Sequence, residues 1–336
     1  MRLSGASWQK DDEPMKKAFI CGISGQDGAY LAEFLLSRGY RVAGSSRDAQ
    51  VSPFVNLERL NLRRRLEVES VALTDFRSVL QALIKAEADE VYNLAGQSSV
   101  ALSFQQPVET MESIGIGTLN LLEAIRFLGR PIKLYNACSG ECFGDITDAA
   151  DETTPFRPRS PYAVAKAAAF WEVANYREAY RLFACSGILF NHESPLRPER
   201  FVTKKIVATA CRIAAGSPEK LHLGNIAIQR DWGWAPEYVE AMWLMLQQEK
   251  PDDYVIATGE SHSLEEFVAA AFARVGLQWR DHVVIDPEFF RPTEIAVSRG
   301  NPQKAASTFG WRARCQMLEV VRLMCQDELK RLKNHG

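Results

Sequence analysis

Long apolar runs are what this sequence most plainly lacks. None approaches the roughly 20 residues that a bilayer-spanning helix needs, so no such helix is expected. The first segment, MRLSGASWQKDDEPMKK, has no apolar core of the kind a secretory signal carries. Residues 1–15 are expected to be a disordered extension, or else to precede a physiological start at Met15. Charge is not in surplus either. With 40 Lys and Arg against 42 Asp and Glu, the net charge is −2, which gives no electrostatic footprint for nucleic acid or an anionic membrane. Internal repeats and low-complexity tracts are missing. The seven cysteines (Cys21, Cys138, Cys142, Cys185, Cys211, Cys315 and Cys325) form no C-x-x-C pair and have no histidine nearby at zinc spacing. Their odd number and scatter suit free thiols in a reducing cytoplasm, and no metal is expected.

What is present is the make-up of an ordinary globular chain. Its 336 residues, 46% hydrophobic and 24% charged, suffice for one large or two smaller domains around a substantial core. The stretch KKAFICGISGQDGAYLAEFLLSRGYRVAGSSR reads as strand, glycine turn, helix and strand. AFIC is a short apolar run, LAEFLL has helical periodicity, and SRGY ends the helix. Strand-like runs recur at LEVESVAL, EVYNLAG, IKLYNACS and FACSGILFN. Between them FRSVLQALIKA, GTLNLLEAIRFLG and AAAFWEVANYREAY are helical. Such alternation predicts an α/β fold, a Rossmann-like doubly wound parallel sheet covered on both faces. After Asn191 the residues Pro195, Pro198, Gly216, Pro218, Gly224, Pro236 and Pro251 punctuate shorter elements. A smaller C-terminal α/β substrate-binding lobe would look like this. The expected division is a cofactor-binding domain over 16–190 and a lobe over 191–336, with a segment of about 230–258 returning to the first domain.

Gly22, Gly25 and Gly28 make G-x-x-G-x-x-G directly after a strand and before a helix. Glycine permits the tight turn and lets the backbone approach a pyrophosphate, while the helix N-terminus supplies N–H donors and a favourable dipole. A dinucleotide is the expected ligand. The second strand ends in GSSR rather than in the acid that an NAD ribose would want, and the Arg47 guanidinium suits a 2′-phosphate. Asp48 opposes that assignment if its carboxylate points inward. NADP is expected over NAD.

Three segments arrive at the carboxyl edge of the sheet, where ligands of open α/β folds lie. EVYNLAGQSS ends in small and polar residues able to pass beneath a nicotinamide. IKLYNACSGECFGD closes a strand with a hydroxyl, Ser139, and a carboxylate, Glu141. SPYAVAK places Tyr162 and Lys166 four residues apart, on one face of a helix. A lysine near a phenol favours the phenolate, which makes the pair a candidate general acid/base. Together these groups describe the active site of an oxidoreductase chemistry.

The glycine turn, NLAGQSS, the strand ending in S-x-E and the Y-x-x-x-K helix resemble the extended short-chain dehydrogenase/reductase superfamily. More narrowly, GISGQDGAYLAEFLL, PFRPRSPYAVAK, NYREAY, GILFNHESP, FVTKK, LGN with RDWG, and FFRPTE resemble the GDP-mannose 4,6-dehydratase family, over about Lys16 to about Trp311. That resemblance implies Ser139, Glu141, Tyr162 and Lys166 as catalytic residues. It implies NADP contacts at Gly22, Ser24, Gly25, Gln26, Asp27, Gly28, Arg47, Leu73, Leu94, Ala95, Gln97, Ser98, Tyr162, Lys166, His192 and Arg197. The sugar nucleotide would meet Ser98, Glu141, Asn191, Lys205, Gly224, Arg230, Arg291 and Glu294. It further implies a cytoplasmic hydro-lyase with tightly held NADP, assembled as a homodimer or homotetramer.

The chain departs from the family pattern at Gly140, where a serine is usual, at Ala72, where an acid is common, and in offering Arg47 alone where two arginines are usual. The loop RDAQVSPF occupies the region through which relatives pair dimers into tetramers. Three rival functions stand beside the main one. A dehydratase of a GDP-manno-heptose would use the room left by Gly140. A nucleotide-sugar epimerase or 4-reductase would leave Glu141 without its role. A non-catalytic NADP-binding regulator would need none of the four catalytic residues.

Overall fold

A computed structural model describes residues 15–335 of the chain. The expected N-terminal extension, apart from Met15, lies outside the described residues. Seven parallel strands form the central sheet, in the order β11-β6-β5-β4-β1-β2-β3. They are β1 (Lys17–Cys21), β2 (Arg41–Ser46), β3 (Glu67–Ser70), β4 (Glu90–Asn93), β5 (Lys133–Ser139), β6 (Ala184–Leu189) and β11 (Tyr254–Ile256). The interior strands are short apolar runs because both of their faces are covered. Every residue of β4 and β6 is buried.

Helices α1 (Gln26–Ser37), α2 (Val55–Arg59) and α9 (Ala235–Leu246) bring apolar side chains into the core on one face, where Leu31, Leu35, Leu57, Met242 and Met245 are buried together. On the other face lie α3 (Phe76–Ala86), α6 (Gly117–Leu128) and α7 (Pro161–Tyr180), with Val79, Leu83, Leu121, Ile125 and Val173 in that core. Strand order reverses between β1 and β4, and the crevice at that switch point opens at their carboxyl ends. The doubly wound sheet predicted from the alternating pattern is therefore present.

Two regions differ from the sequence reading. The segment after β4 is helical: α4 (Val100–Gln105), α5 (Pro107–Met111) and a π turn over Glu112–Ile116 lead straight into α6. Pro107 starts α5 without loss, since a first-turn N–H has no helical partner anyway. Beyond β6 the chain is also more regular than its prolines and glycines suggest. Helices α8 (Val202–Ala214), α10 (Leu264–Arg274) and α12 (Met317–His335) pack around Ile206, Cys211, Phe267, Phe272, Val320 and Met324. The short helix α11 (Gln303–Phe309) returns against β11. Paired short strands complete this part: β7 (Asn191–Glu193) with β10 (Trp232–Trp234), β8 (Leu221–Leu223) with β13 (Val283–Ile285), and β9 (Gln229–Arg230) with β12 (His262–Ser263).

Candidate active site

The first turn is built for close approach. Gly22 has φ of +82°, and a Cβ there would stand 3.0 Å from the Ala95 backbone. At Gly28 a Cβ would come within 2.7 Å of the Ile23 Cα, so only glycine lets α1 seat against the turn. Gly25 caps α1 without any side chain bonding its first N–H groups. The backbone there fits a pyrophosphate cradle.

At the end of β5, Ser139 is followed by a tight turn over Gly140–Phe143, and the Ser139 hydroxyl accepts the Glu141 N–H at 3.3 Å. That bond holds the Glu141 backbone next to the serine. Helix α7 begins with Ser160, whose hydroxyl accepts the Ala163 N–H at 3.1 Å, and with Pro161 in its first turn. The cap and the proline set the start of the helix, so Tyr162 lies in the first turn and Lys166 one turn later. Ser139, Tyr162 and Lys166 are all buried, and all line one cleft of about 620 Å³ with Glu141.

The Tyr162 phenol lies beside the Ser139 hydroxyl. Burial raises the proton affinity of that phenol, and the neighbouring serine hydroxyl works against the rise. The Lys166 ammonium donates to the Ala137 carbonyl at 2.7 Å and stands 5.9 Å from the centre of the Tyr162 ring. Burial lowers the proton affinity of that ammonium.

Arg230 is buried across the cleft from these groups. One terminal nitrogen donates to the carbonyls of Gln229 (2.9 Å) and Ile295 (2.8 Å), and Nε lies 3.9 Å from Glu141 Oε1. Its other terminal nitrogen, Nη2, is buried without a partner and fits a ligand oxygen. Burial lowers the proton affinity of Arg230, against the pull of Glu141.

Of the remaining candidates, Asp27, Leu94, Ser98, Asn191, His192, Arg197, Lys205, Gly224, Arg291 and Glu294 line the same cleft. Lys205 donates to the His222 carbonyl at 2.7 Å and stands 4.4 Å from the centre of the Phe289 ring. A Cβ on Gly224 would meet the Phe289 carbonyl oxygen at 2.6 Å, so the glycine lets two wall segments touch.

Gly22, Ser24, Gly25, Gln26, Gly28, Leu73, Ala95 and Gln97 lie off the cleft wall. The Ser24 carbonyl accepts from the Asn56 amide at 3.1 Å, and the Leu73 carbonyl accepts from Asn120 at 2.8 Å. Gln97 is engaged in its own loop, donating to the Ser99 carbonyl at 2.8 Å and accepting from the Ser99 N–H. Arg47 is exposed and paired with Glu109 at 3.0 Å. Asp48 accepts the N–H groups of Gln50 (2.9 Å) and Val51 (3.2 Å), so its carboxylate closes the next turn and is not turned on Arg47.

Sequence reasoning missed Arg200 and Phe201, which also line the cleft. The guanidinium carbons of Arg197 and Arg200 lie 3.9 and 5.0 Å from the centre of the Phe201 ring. The signal was the pair of arginines before an aromatic in LRPERF, which looks the same on any wet surface.

A family model described as GDP-mannose 4,6 dehydratase matches residues 19–324. GDP-mannose 4,6 dehydratase 1 of Arabidopsis thaliana is 49% identical over 334 residues, covering 96% of this chain and 92% of that protein. GDP-mannose 4,6-dehydratase of Vibrio cholerae is 41% identical over 356 residues, with 96% of each chain covered. Among solved structures, UDP-glucose 4-epimerase of Thermus thermophilus, in complex with NAD, is 29% identical with a TM-score of 0.81, covering 93% of this chain and 98% of that one. A dTDP-glucose 4,6-dehydratase of Bacillus anthracis, in complex with NAD, has a TM-score of 0.82 at 19% identity, covering 95% and 98%, and shares the fold.

Proposed function

The chain belongs to the GDP-mannose 4,6-dehydratase family, and from that premise we propose that it converts GDP-mannose to GDP-4-dehydro-6-deoxymannose and water, with Ser139, Glu141, Tyr162 and Lys166 as its catalytic residues. The observation that carries this reading is the carboxylate. Glu141 lines the same cleft as the Ser139–Tyr162 pair and faces the Arg230 guanidinium at 3.9 Å. Without it, the serine, tyrosine and lysine would describe a simple reductase.

The cofactor is NADP, which the glycine turn, the open N-terminus of α1 and the Arg47 guanidinium suit. Bound there, it would supply an acceptor and then a donor of hydride, with no net change over the cycle. Tyr162 takes the proton of the 4-hydroxyl, with the Lys166 ammonium 5.9 Å from its ring centre and the Ser139 hydroxyl beside it. Ser139 then donates to the developing 4-keto oxygen. That ketone acidifies the C5 proton. Glu141 removes it as a base and delivers it as an acid to the departing 6-hydroxyl, which leaves as water; Tyr162 then gives its proton to C5 as the hydride is restored at C6. Lys205, Arg230 and Arg291 are the cationic groups that suit the GDP diphosphate.

Residues 16–190 hold the cofactor and 191–336 chiefly the sugar nucleotide, with β11 and α9 returning to the sheet. The protein works as a homo-oligomer. Val108, Met111, Ile116, Val164 and Trp171 are exposed on α5, the π turn and α7, which pack on one another, and a second copy would cover them. Its seven free thiols suit the cytoplasm. No described helix is long and apolar enough to cross a membrane.

Mass spectrometry of GDP-mannose incubated with the protein and catalytic NADP+ tests the reading. Loss of one water without net NADPH is the expected result. An unchanged sugar nucleotide would overturn it.

A further inference from the structure

Two motifs far apart in the chain, GQD in the first turn and NHES after β6, are joined by side chains. The Gln26 amide donates to the His192 carbonyl at 3.2 Å and accepts from the Ser194 hydroxyl at 2.7 Å. It also donates to Asp27 Oδ1 at 2.9 Å, and Asp27 Oδ2 lies 2.9 Å from His192 Nε2. The other imidazole nitrogen, Nδ1, lies 2.8 Å from the Phe190 carbonyl. A carbonyl and a carboxylate only accept, so both ring nitrogens carry hydrogen and the ring is an imidazolium.

Tyr238 from α9 stacks on that ring at 4.5 Å, and Arg197 is the like charge nearby. Burial works against the charged ring, but Asp27 outweighs it and His192 is held above its ordinary proton affinity. Burial likewise opposes ionised Asp27, yet His192 brings it down to about 2.

The clasp reaches the substrate wall through strand pairing. His192 sits in the middle of β7, which pairs with β10 so that Asn191 faces Trp232 and His192 faces Gly233. Arg230 lies two residues before Trp232, and Asn191 and Arg230 both line the cleft.

We infer that Gln26 and Asp27 are positioning residues for the substrate: through His192 and Ser194 they lock β7 to the dinucleotide turn and so fix Asn191 and Arg230. This rests on the sugar-nucleotide reading above. Calorimetric titration of GDP into the NADP+-loaded protein, over a range of pH, measures it without turnover. In the wild-type protein, GDP affinity weakens as pH rises through the raised proton affinity of His192. Asp27→Asn is expected to weaken GDP about tenfold, by misplacing its contacts, and to move that limb to lower pH. Asp27→Glu keeps the charge and restores the limb. Ser194→Ala leaves the ion pair intact and weakens GDP about threefold.

In the dehydration assay the Asp27→Asn loss is expected in KM more than in kcat. Wild-type GDP affinity and pH dependence in folded Asp27→Asn would overturn the inference. If that variant does not fold, undiminished GDP binding by Ser194→Ala overturns it instead. GDP binding by the wild-type protein without dehydration sinks the functional reading alone, whereas failure to bind GDP sinks both.

Discussion

Replacing Glu141 with glutamine tests the dehydratase assignment most directly, because the amide keeps the shape and cannot take a proton from carbon. General base catalysis of this kind contributes about 10²–10⁴ in rate, so kcat is expected to fall about 10³-fold, or about 4 kcal/mol of transition-state stabilisation. The structure sets a second, smaller effect. Glu141 lies 3.9 Å from the Arg230 guanidinium, with side-chain exposures of 15% and 5%. At an effective dielectric of about 20, that separation corresponds to a gross attraction of about 4 kcal/mol. Arg230 keeps its two carbonyl acceptors, so the folded protein should lose only about 1–2 kcal/mol of stability. The assay is GDP-mannose in deuterated buffer, followed by mass spectrometry. The wild-type product should lose one water and carry one solvent deuterium at C5, because the original C5 proton leaves with the water. The Glu141→Gln protein should show neither, while still binding GDP within about threefold of the wild type. Turnover of the variant within about tenfold of the wild type would refute the role of Glu141, and with it the main argument against a reductase.

Glu172 is half-buried with one unpartnered carboxylate oxygen, and burial raises its proton affinity to about 7. The unfolded chain gives up that proton at about pH 4.3, so folded Glu172 holds it longer and stability falls as pH rises from there to about 7. Glu172→Gln should therefore stabilise the protein above neutral pH by about 1 kcal/mol after allowing for solvent screening, and very little in acid; equal thermal shifts at both ends would refute this. Lys204 and Glu328 form an almost fully buried ion pair at 2.6 Å between α8 and α12, with Arg331 also on the acid. Lys204→Met should cost about 2–4 kcal/mol in denaturant unfolding, and Lys204→Met with Glu328→Met should recover most of it; an additive pair of losses would count against the argument.

The elements that propagate by local rules were legible. FRSVLQALIKA is α3 residue for residue, since Asp75 caps it and its apolar spacing is helical. SPYAVAK carried its own cap and proline. The segment after NLAGQSS was not legible, because ALSFQQPVETMESIGIG is broken into two short helices and a π turn whose changes of pitch blur any period. Contacts between distant motifs were equally hidden. Nothing in RDWG shows that Arg230 is buried against Glu141, and nothing in GQD shows that its side chains reach His192 and Ser194. Lys166 shows the same limit at closer range. Its spacing from Tyr162 gave the shared face, while the carbonyl that anchors it comes from β5.

Gly140 shows how much a local reading leaves out beside Glu141, a residue proposed as catalytic. From the sequence alone, glycine in place of the family's serine suggests added room for a larger sugar. In the structure, a Cβ on Gly140 would meet carbons of the Phe190 ring at 3.1 Å, and one on Gly300 would approach the same ring at 2.7 Å. Phe143 stacks near it as well, at 6.1 Å. A side chain at 140 would therefore press on a buried phenylalanine, on a wall that both residues share with the cleft. What the glycine permits is close seating of Phe190 against the turn that carries Glu141. The Phe190 carbonyl in turn accepts from the His192 imidazolium. Gly140 and Phe190 both line the cleft, so position 140 bears on the sugar pocket directly and through that ring. Substitution at 140 therefore acts on the cleft wall itself and, by moving Phe190, on the residues that rest on that ring.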